Sequence, residues 1–419
     1  ILVACFLFSC RQTKKPSEHE ARRAATIDES KEVTLDGNSG KLFDILTGKS
    51  TGIDFVNDLH ESYWVNHFRY LYMFQGGGPS IGDINHDGLP DIFLVGNNVP
   101  CKLYLNKGNL KFEDITEKSG ISSRPGQWTM SAVMADVDGD GWLDIVAGYE
   151  SNNGSPSAVI YPNTGNFTDQ NQIFLSFRPL PGSYRTKVIA LGAVINPEEP
   201  PNTRKLDIIA GNDDPTASVV VYGGAAGFST AQVVITGTNT TAMALGDLDS
   251  DGWLDIVLAG QPQDQTKGIT AINLHANQHN ANTPFSTQNG FPIYTSSKET
   301  IQSLALGDLN SDGVPDVITG SEAKLISPHM HGYFLTWHTD ESNPTKLDFD
   351  NELTFSDISY SRAKSVALGD LNGDGVVDAI IGNATRQDLI YLNDAKGPLL
   401  DKKIGDQNVV IGGLYQEHT

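Results

Sequence analysis

Aspartate and asparagine recur at alternate positions in five short stretches of this 419-residue chain, in the pattern D-x-[D/N]-x-D-G-x-x-D. The first copy sets Asp83, Asn85, Asp87 and Asp91 around Gly88 and Leu89, and the second sets Asp136, Asp138, Asp140 and Asp144 around Gly141 and Trp142. The third carries Asp247, Asp249, Asp251, Trp253 and Asp255, and the fourth Asp308, Asn310, Asp312, Val314 and Asp316. The fifth carries Asp370, Asn372, Asp374, Val376 and Asp378. A hard divalent cation of calcium's size takes six to eight oxygens at about 2.3–2.6 Å. Side chains one, three and five of a tight loop can converge on such an ion while the residues between face outward. Glycine at position six permits the sharp turn. Position seven then offers only its backbone carbonyl, so Leu89, Trp142, Trp253, Val314 and Val376 are free to differ, and the ninth position is Asp in every copy. Five calcium sites are expected.

The spacing resembles the first half of an EF-hand loop, but the closing acid arrives at position nine rather than twelve and no helical pattern succeeds it. Instead each loop leads into a short apolar run ended by glycine: residues 92–96, 145–148, 256–260, 317–320 and 379–382. Such runs read as buried strands. Matching runs precede the loops at 131–135, 242–246, 303–307 and 365–369, so each loop joins two consecutive strands. A third strand is expected at 102–106, 158–161, 218–222, 332–336 and 388–392, and a fourth at 112–115 and its counterparts. Four antiparallel strands per unit, repeated at roughly 53–62 residues, predict an all-β propeller rather than one conventional core. Between the second and third motifs the interval doubles, and a degenerate unit fills it. There Ala190-Leu191-Gly192-Ala193 aligns with the entry strand and Lys205 to Gly211 with the exit, while Ala193 replaces the first ligand and residues 196–202 replace the loop. That unit is expected to fold without metal.

These units are similar to FG-GAP or VCBS repeats, the modules of the integrin α-subunit propeller and of many secreted bacterial proteins; the resemblance spans roughly residues 41–405. Residues 52–55, 76–78 and 118–121 further resemble the opening of exported bacterial VCBS proteins related to cartilage acidic protein. The resemblance implies a seven-bladed, calcium-bound, extracellular propeller used for adhesion or for capture of a protein or glycan. Six repeats are readable here. Residues 42–46 with 51–54 read as the outer strand of a preceding blade, and too few residues follow Ile404 for another complete one. The expectation is a seventh blade that is partial or formed by the termini, in a chain that opens at Ile1 rather than Met.

Residues 1–10 are apolar and too short to span a bilayer. They read as a signal-peptide remnant, and Leu7-Phe8-Ser9-Cys10 resembles a lipobox that would leave Cys10 to carry lipid. An ordinary cleaved signal, bacterial or eukaryotic, is the alternative. Residues 11–40 are polar and aperiodic, a flexible tether ahead of the propeller at 41–419. With 51 acidic against 29 basic residues the net charge is −22 and no basic stripe offsets it, which excludes nucleic acid as a partner. Membrane contact is expected only through the N-terminal anchor, and the protein is expected to be exported, either secreted or held at the cell surface. Of three cysteines only Cys101 lies past the tether, so the folded part has no disulfide to rely on.

Other features have two readings. The aromatic run Tyr63, Trp64, His67, Phe68, Tyr70, Tyr72 and Phe74 is either a sugar platform or packing ahead of the first blade. His329 and His331 with His338, and His275 with His279, either bind a transition metal or lie in solvated loops. Trp142 and Trp253 either stack on a ligand or pack against a neighbouring blade. Asn153, Asn166, Asn239 and Asn383 each head a glycosylation sequon, relevant only in a eukaryotic source. No nucleophile elbow, zinc-protease helix, P-loop or dinucleotide fingerprint occurs, so no catalytic residue is assigned. A non-catalytic binding propeller is the reading; a polysaccharide lyase built on the same fold is the alternative.

Overall fold

The structure, a computed structural model, describes residues 46–58, 78–97, 99–121, 128–150, 156–167, 173–195, 205–224, 227–262, 270–280, 283–285, 290–296, 299–309, 313, 315–323, 333–340, 343–354, 363–383, 389–393 and 409–410. Helix is confined among these to two single turns, α1 (Gly48–Thr51) and α2 (Thr116–Ser119). Everything else that is regular is strand.

Among the described residues six four-stranded antiparallel sheets succeed one another in chain order, each built of four consecutive strands in spatial order. The first holds β1 (Ser80–Gly82), β2 (Asp91–Leu94), β3 (Lys102–Asn106) and β4 (Phe112–Asp114). The second holds β5 (Trp128–Ala135), β6 (Asp144–Glu150), β7 (Ala158–Tyr161) and β8 (Arg178–Pro179). The third, which contains the degenerate unit, holds β9 (Thr186–Gly192), β10 (Asp207–Asn212), β11 (Val219–Tyr222) and β12 (Ala231–Ile235). The fourth comprises β13 (Thr238–Gly246), β14 (Asp255–Pro262), β15 (Thr270–His275) and β16 (Phe291–Ser296). The fifth comprises β17 (Glu299–Gly307), β18 (Asp316–Ala323), β19 (Tyr333–Asp340) and β20 (Asn343–Thr354). The sixth comprises β21 (Ala363–Gly369), β22 (Asp378–Asn383), β23 (Leu389–Tyr391) and β24 (Val409–Val410). The chain divides between Ile189 and Ala190 into two compact units.

Register is identical around all five acidic loops. The residue before position one pairs with the ninth-position aspartate: Gly82 with Asp91, Ala135 with Asp144, Gly246 with Asp255, Gly307 with Asp316 and Gly369 with Asp378. The ninth aspartate is therefore the first residue of the second strand. Four of the first strands also carry a β-bulge at a common place, between Thr129 and Ser131, Thr240 and Ala242, Ile301 and Ser303, and Ala363 and Ser365. Gly148, Gly320 and Gly382 pair with the residue after the bulge in three of these sheets, while in the fourth Ala259 takes that place and Gly260 pairs with the residue before the bulge. A Cβ on Gly260 would lie 2.3 Å from the Asn239 carbonyl oxygen, and one on Gly320 2.6 Å from Ser303 Oγ.

Within each compact unit, consecutive sheets pack through a repeated knob and gap. The glycine that ends a first strand leaves room for the apolar residue one place before the end of the next first strand. A Cβ on Gly82 would meet Met134, one on Gly192 Leu245, one on Gly246 Leu306, and one on Gly307 Leu368. The second and third strands are the most deeply buried. Ile145, Ile208, Ile256, Val317 and Ala379 in the second strands are fully buried, as are Tyr104 and Tyr222 in the third.

Two sequence expectations are corrected. The outer strand expected over residues 51–54 is instead the end of α1 and a coil; residues 42–45 lie outside the described residues. Thr47 and Ser50 cap the turn reciprocally, Ser50 N donating to Thr47 Oγ1 at 3.1 Å and Thr47 N to Ser50 Oγ at 3.0 Å, and Gly52 ends it at φ 86°. The segment still serves the first sheet, since Phe55 packs with Ile92, Leu94, Tyr104 and Phe112, and Tyr104 donates its hydroxyl to Asp54. The other correction is His275, expected in a solvated loop. It is buried at the end of β15 in the place that Tyr104, Tyr161 and Tyr222 occupy in their sheets. Cys101 is a free cysteine, half-buried. Among the described residues no helix is long and apolar enough to cross a membrane.

Candidate metal centre

Each acidic loop is shaped by its own backbone amides. In the second copy Asp136 Oδ1 accepts from Gly139 N at 2.7 Å and Asp140 N at 3.1 Å, while Oδ2 accepts from Gly141 N at 2.9 Å. Asp138 Oδ1 accepts from Asp140 N at 3.2 Å, and Asp140 Oδ1 from Trp142 N at 2.9 Å. The first, third and fifth copies repeat the main bonds. Gly88 N, Gly252 N and Gly375 N donate to Asp83, Asp247 and Asp370, and Leu89 N, Trp253 N and Val376 N donate to Asp87, Asp251 and Asp374. In the fourth, Gly313 N donates to Asp308 at 2.9 Å; Asn310, Asp312 and Val314 lie outside the described residues.

The turn needs left-handed backbone at two places. Position six is glycine throughout, with φ between 83° and 94°. Position four is left-handed as well, in His86 (59°), Gly139 (82°), Ser250 (59°) and Gly373 (77°), which the sequence pattern did not reveal because only two of the four are glycine. Alternating left-handed residues turn side chains one, three and five to the same side.

Carboxylate oxygens of Asp136, Asp138 and Asp144 lie within 4.8 Å of one another, and so do those of Asp247, Asp249 and Asp251. Each amide bond uses one lone pair, and a carboxylate has about four, so acceptor capacity remains for a cation. All donors are hard oxygens, with no thiolate and no imidazole at positions one, three, five and nine. That donor set fits calcium rather than zinc or copper.

The ninth aspartate does a second job. Asp144 Oδ2 accepts from Val137 N at 3.1 Å and Oδ1 from Asn163 N at 2.8 Å, tying the start of the loop to the end of the third strand. Asp91 repeats this with Ile84 N and Asn106 N, Asp255 with Leu248 N and Asn277 N, and Asp378 with Leu371 N and Asn393 N. Asp207 of the degenerate unit does the same, accepting from Val194 N and Ile195 N at 2.9 Å and from Gly224 N at 3.0 Å. The ninth aspartate is thus kept where the first ligand has become Ala193. Its clamp does not require the metal.

The asparagines it holds were not singled out by sequence, and they link neighbouring sheets. Asn163 Nδ2 donates to Leu143 O of its own loop and to Ile84 O of the preceding one, both at 3.0 Å. Asn277 Nδ2 reaches Leu254 O at 3.2 Å and Val194 O at 3.1 Å; Asn393 Nδ2 reaches Val377 O at 3.2 Å and Leu309 O at 2.7 Å. In each of the three the far acceptor is the second residue of the previous loop. A signal exists in the sequence, an aromatic residue two places before the asparagine: Tyr104 and Asn106, Tyr161 and Asn163, His275 and Asn277, Tyr391 and Asn393.

The two tryptophans at position seven each pack against a histidine. Trp142 stacks on His86 of the preceding loop at 4.3 Å between centroids and 9° between planes, with Phe167 tilted against it. Trp253 stacks on His279 at 4.7 Å, and His279 Nε2 bonds Asp251 Oδ2. Cys10, the aromatic run at 63–74, His329, His331 and Asn153 fall outside the described residues.

Burial is the main cause that lifts the Asp144 carboxyl to about 7 and those of Asp91 and Asp255 to about 6; amide donors oppose the shift and neighbouring carboxylates add to it. Asp138, Asp249 and Asp378 move in the same direction, again through burial first.

A model for FG-GAP-like repeats matches residues 83–147 and 247–319. The first stretch takes in the first two acidic loops and the second the third and fourth. No curated protein sequence matches the chain. Among solved structures, the crystal structure of BBS1N in complex with ARL6DN, soaked with lead, is similar at 12% identity and a TM-score of 0.41, over 76% of this chain and 80% of that one.

Two outcomes are expected. Asn277→Ala leaves the buried Val194 carbonyl and the half-buried Leu254 carbonyl without this donor, at a cost of about 2 kcal/mol or more in urea unfolding; a change within about 0.5 kcal/mol, the range of an ordinary surface substitution, would remove the sheet-to-sheet role. The second concerns pH. Asp91, Asp144 and Asp255 hold protons in the metal-free fold that they release on unfolding, so metal-free stability falls as pH rises from about 4 to about 7. A bound cation requires the ionised form, and its contribution grows over the same window. Calorimetric melts in chelator should therefore drop in midpoint between about pH 5 and 7.5, whereas melts in calcium should not; parallel profiles would contradict this.

Proposed function

We propose that this chain is a calcium-stabilised β-propeller, exported from the cell and used to bind a protein or glycan without catalysing a reaction. The observation that carries the reading is the gathering of carboxylate oxygens in the second and third acidic loops, at a strand register that all five loops share, together with the FG-GAP-like repeat match. Asp83, Asn85, Asp87 and Asp91 and their counterparts in the other four loops would hold the ions. The carbonyls of Leu89, Trp142, Trp253, Val314 and Val376 would complete the shells. The resemblance of residues 52–55, 76–78 and 118–121 to exported VCBS proteins related to cartilage acidic protein supports display outside the cell, by secretion or through lipid on Cys10.

Calcium near 1 mM is an extracellular condition. A site with a dissociation constant of about 0.1 mM, in about 1 mM calcium, contributes about 1.4 kcal/mol, so five contribute on the order of 7 kcal/mol. That is comparable to the whole stability of an ordinary domain. Free Cys101 brings no crosslink, so the ions would take the part that disulfides take in other secreted folds.

The test is a pair of measurements on the full chain. Melts with calcium and with chelator should differ by several degrees, and retention on an array of glycans and extracellular proteins should be lost in chelator without any substrate being consumed. An unchanged midpoint would end the calcium reading. Release of an unsaturated uronyl product from acidic polysaccharide would replace the binder with a lyase.

A further inference from the structure

We propose that the first two acidic loops load their ions cooperatively, with His86 and Asn163 as the coupling residues. The inference rests on the calcium reading above and goes beyond it, since loops that fill independently would stabilise the fold equally well.

Two separate contacts join these loops. His86, at position four of the first, lies flat against Trp142, at position seven of the second, with centroids 4.3 Å apart. Trp142 N in turn donates to Asp140, a ligand position of the second loop. The other contact is buried. Asn163 Nδ2 donates to Ile84 O, and that carbonyl belongs to the peptide leading into Asn85, a ligand position of the first loop. The backbone N–H of the same asparagine donates to Asp144, the ninth position of the second. Asn163 is 2% exposed and Ile84 0% exposed, so neither bond can be exchanged for water without opening the interface.

An ion in the first loop fixes residues 83–87 in the conformation that presents both the His86 ring and the Ile84 carbonyl. The second loop then meets an ordered partner and loses less freedom when its own ion arrives. This is positive coupling through shared ordering. Electrostatics acts the other way, because one divalent cation lowers the negative potential that attracts the next. Exposed charges more than about 8 Å apart are largely screened at physiological salt. Contacts of buried groups are not. Raising the salt therefore suppresses the opposing effect and leaves the coupling.

The third acidic loop, which also carries a tryptophan at position seven, differs in a way that makes a control possible. Trp253 stacks on His279, which lies after the third strand of its own sheet rather than in a preceding loop. The preceding unit is the degenerate one, with Ala193 in place of the first ligand. The third loop has no loaded neighbour to answer to on that side.

Terbium, which takes calcium's oxygen sites and luminesces when a nearby indole is excited, is the probe, used with the full chain in about 0.5 M KCl, where screening is stronger than at physiological salt. With Trp253→Phe as parent, the signal reports the loops beside Trp142. Asp83→Ala, which disables the first loop, should weaken terbium binding at the second by about threefold to tenfold, within the usual range of coupling between sites. His86→Ala keeps every ligand of the first loop and replaces an exposed residue, so it should fold; it should weaken the second loop about twofold to threefold. Added to Asp83→Ala it should do nothing further. Separately, Trp142→Phe in a chain retaining Trp253 should leave the third loop's midpoint unaffected by Asp83→Ala. Unchanged affinity in both Asp83→Ala and His86→Ala, or effects that simply add, would overturn the coupling while leaving calcium binding intact. Absence of any terbium signal in the parent would overturn the calcium reading itself.

Discussion

In five of the six described sheets a buried carboxylate accepts backbone amides from two directions and holds the unit together. The ninth-position aspartate opens the second strand, takes the N–H of the loop's second residue on one oxygen, and takes an N–H from the end of the third strand or just past it on the other. Loop, second strand and third strand are thereby fixed relative to one another at a single point. Its survival in the degenerate unit as Asp207, beside Ala193, separates this task from ion binding. Burying a carboxylate is costly unless it is hydrogen-bonded or neutralised, and the raised pKa values of Asp91, Asp144 and Asp255 register what remains of that cost. A cation among the neighbouring acids would remove it.

From that point the order extends outward by short-range contacts. The asparagine positioned by the ninth aspartate reaches the previous loop, the glycine that ends a first strand admits an apolar side chain from the next one, and the glycine of the second strand allows the bulged first strand to approach. Each device is local and repeated. A chain can thus build successive sheets without one large core, and can lose the alternating acids of one unit without losing its sheet.

The acidic loops and the strands on either side of them were legible in the sequence, because alternating oxygen donors with a glycine at position six suit a hard cation and little else. The degenerate unit was legible from the doubled interval. The asparagine link was not, since asparagine is common in turns and the partner of Asn163 is 79 residues away. His275 was misjudged because a histidine four residues from another suggests a loop or a ligand pair, whereas the register places it where the other sheets use tyrosine. The turn at 48–51 escaped notice because its cap is made by Thr47 and Ser50, in a stretch whose apolar residues resemble a strand.

The central claim is that the alternating acids are brought together to hold ions. Equilibrium dialysis of the purified chain against buffered radioactive calcium counts them directly. The account predicts saturation at about five ions per chain in the low-millimolar range, falling by one with each loop whose first aspartate is replaced by alanine. Saturation near zero, or a count indifferent to those replacements, would contradict it.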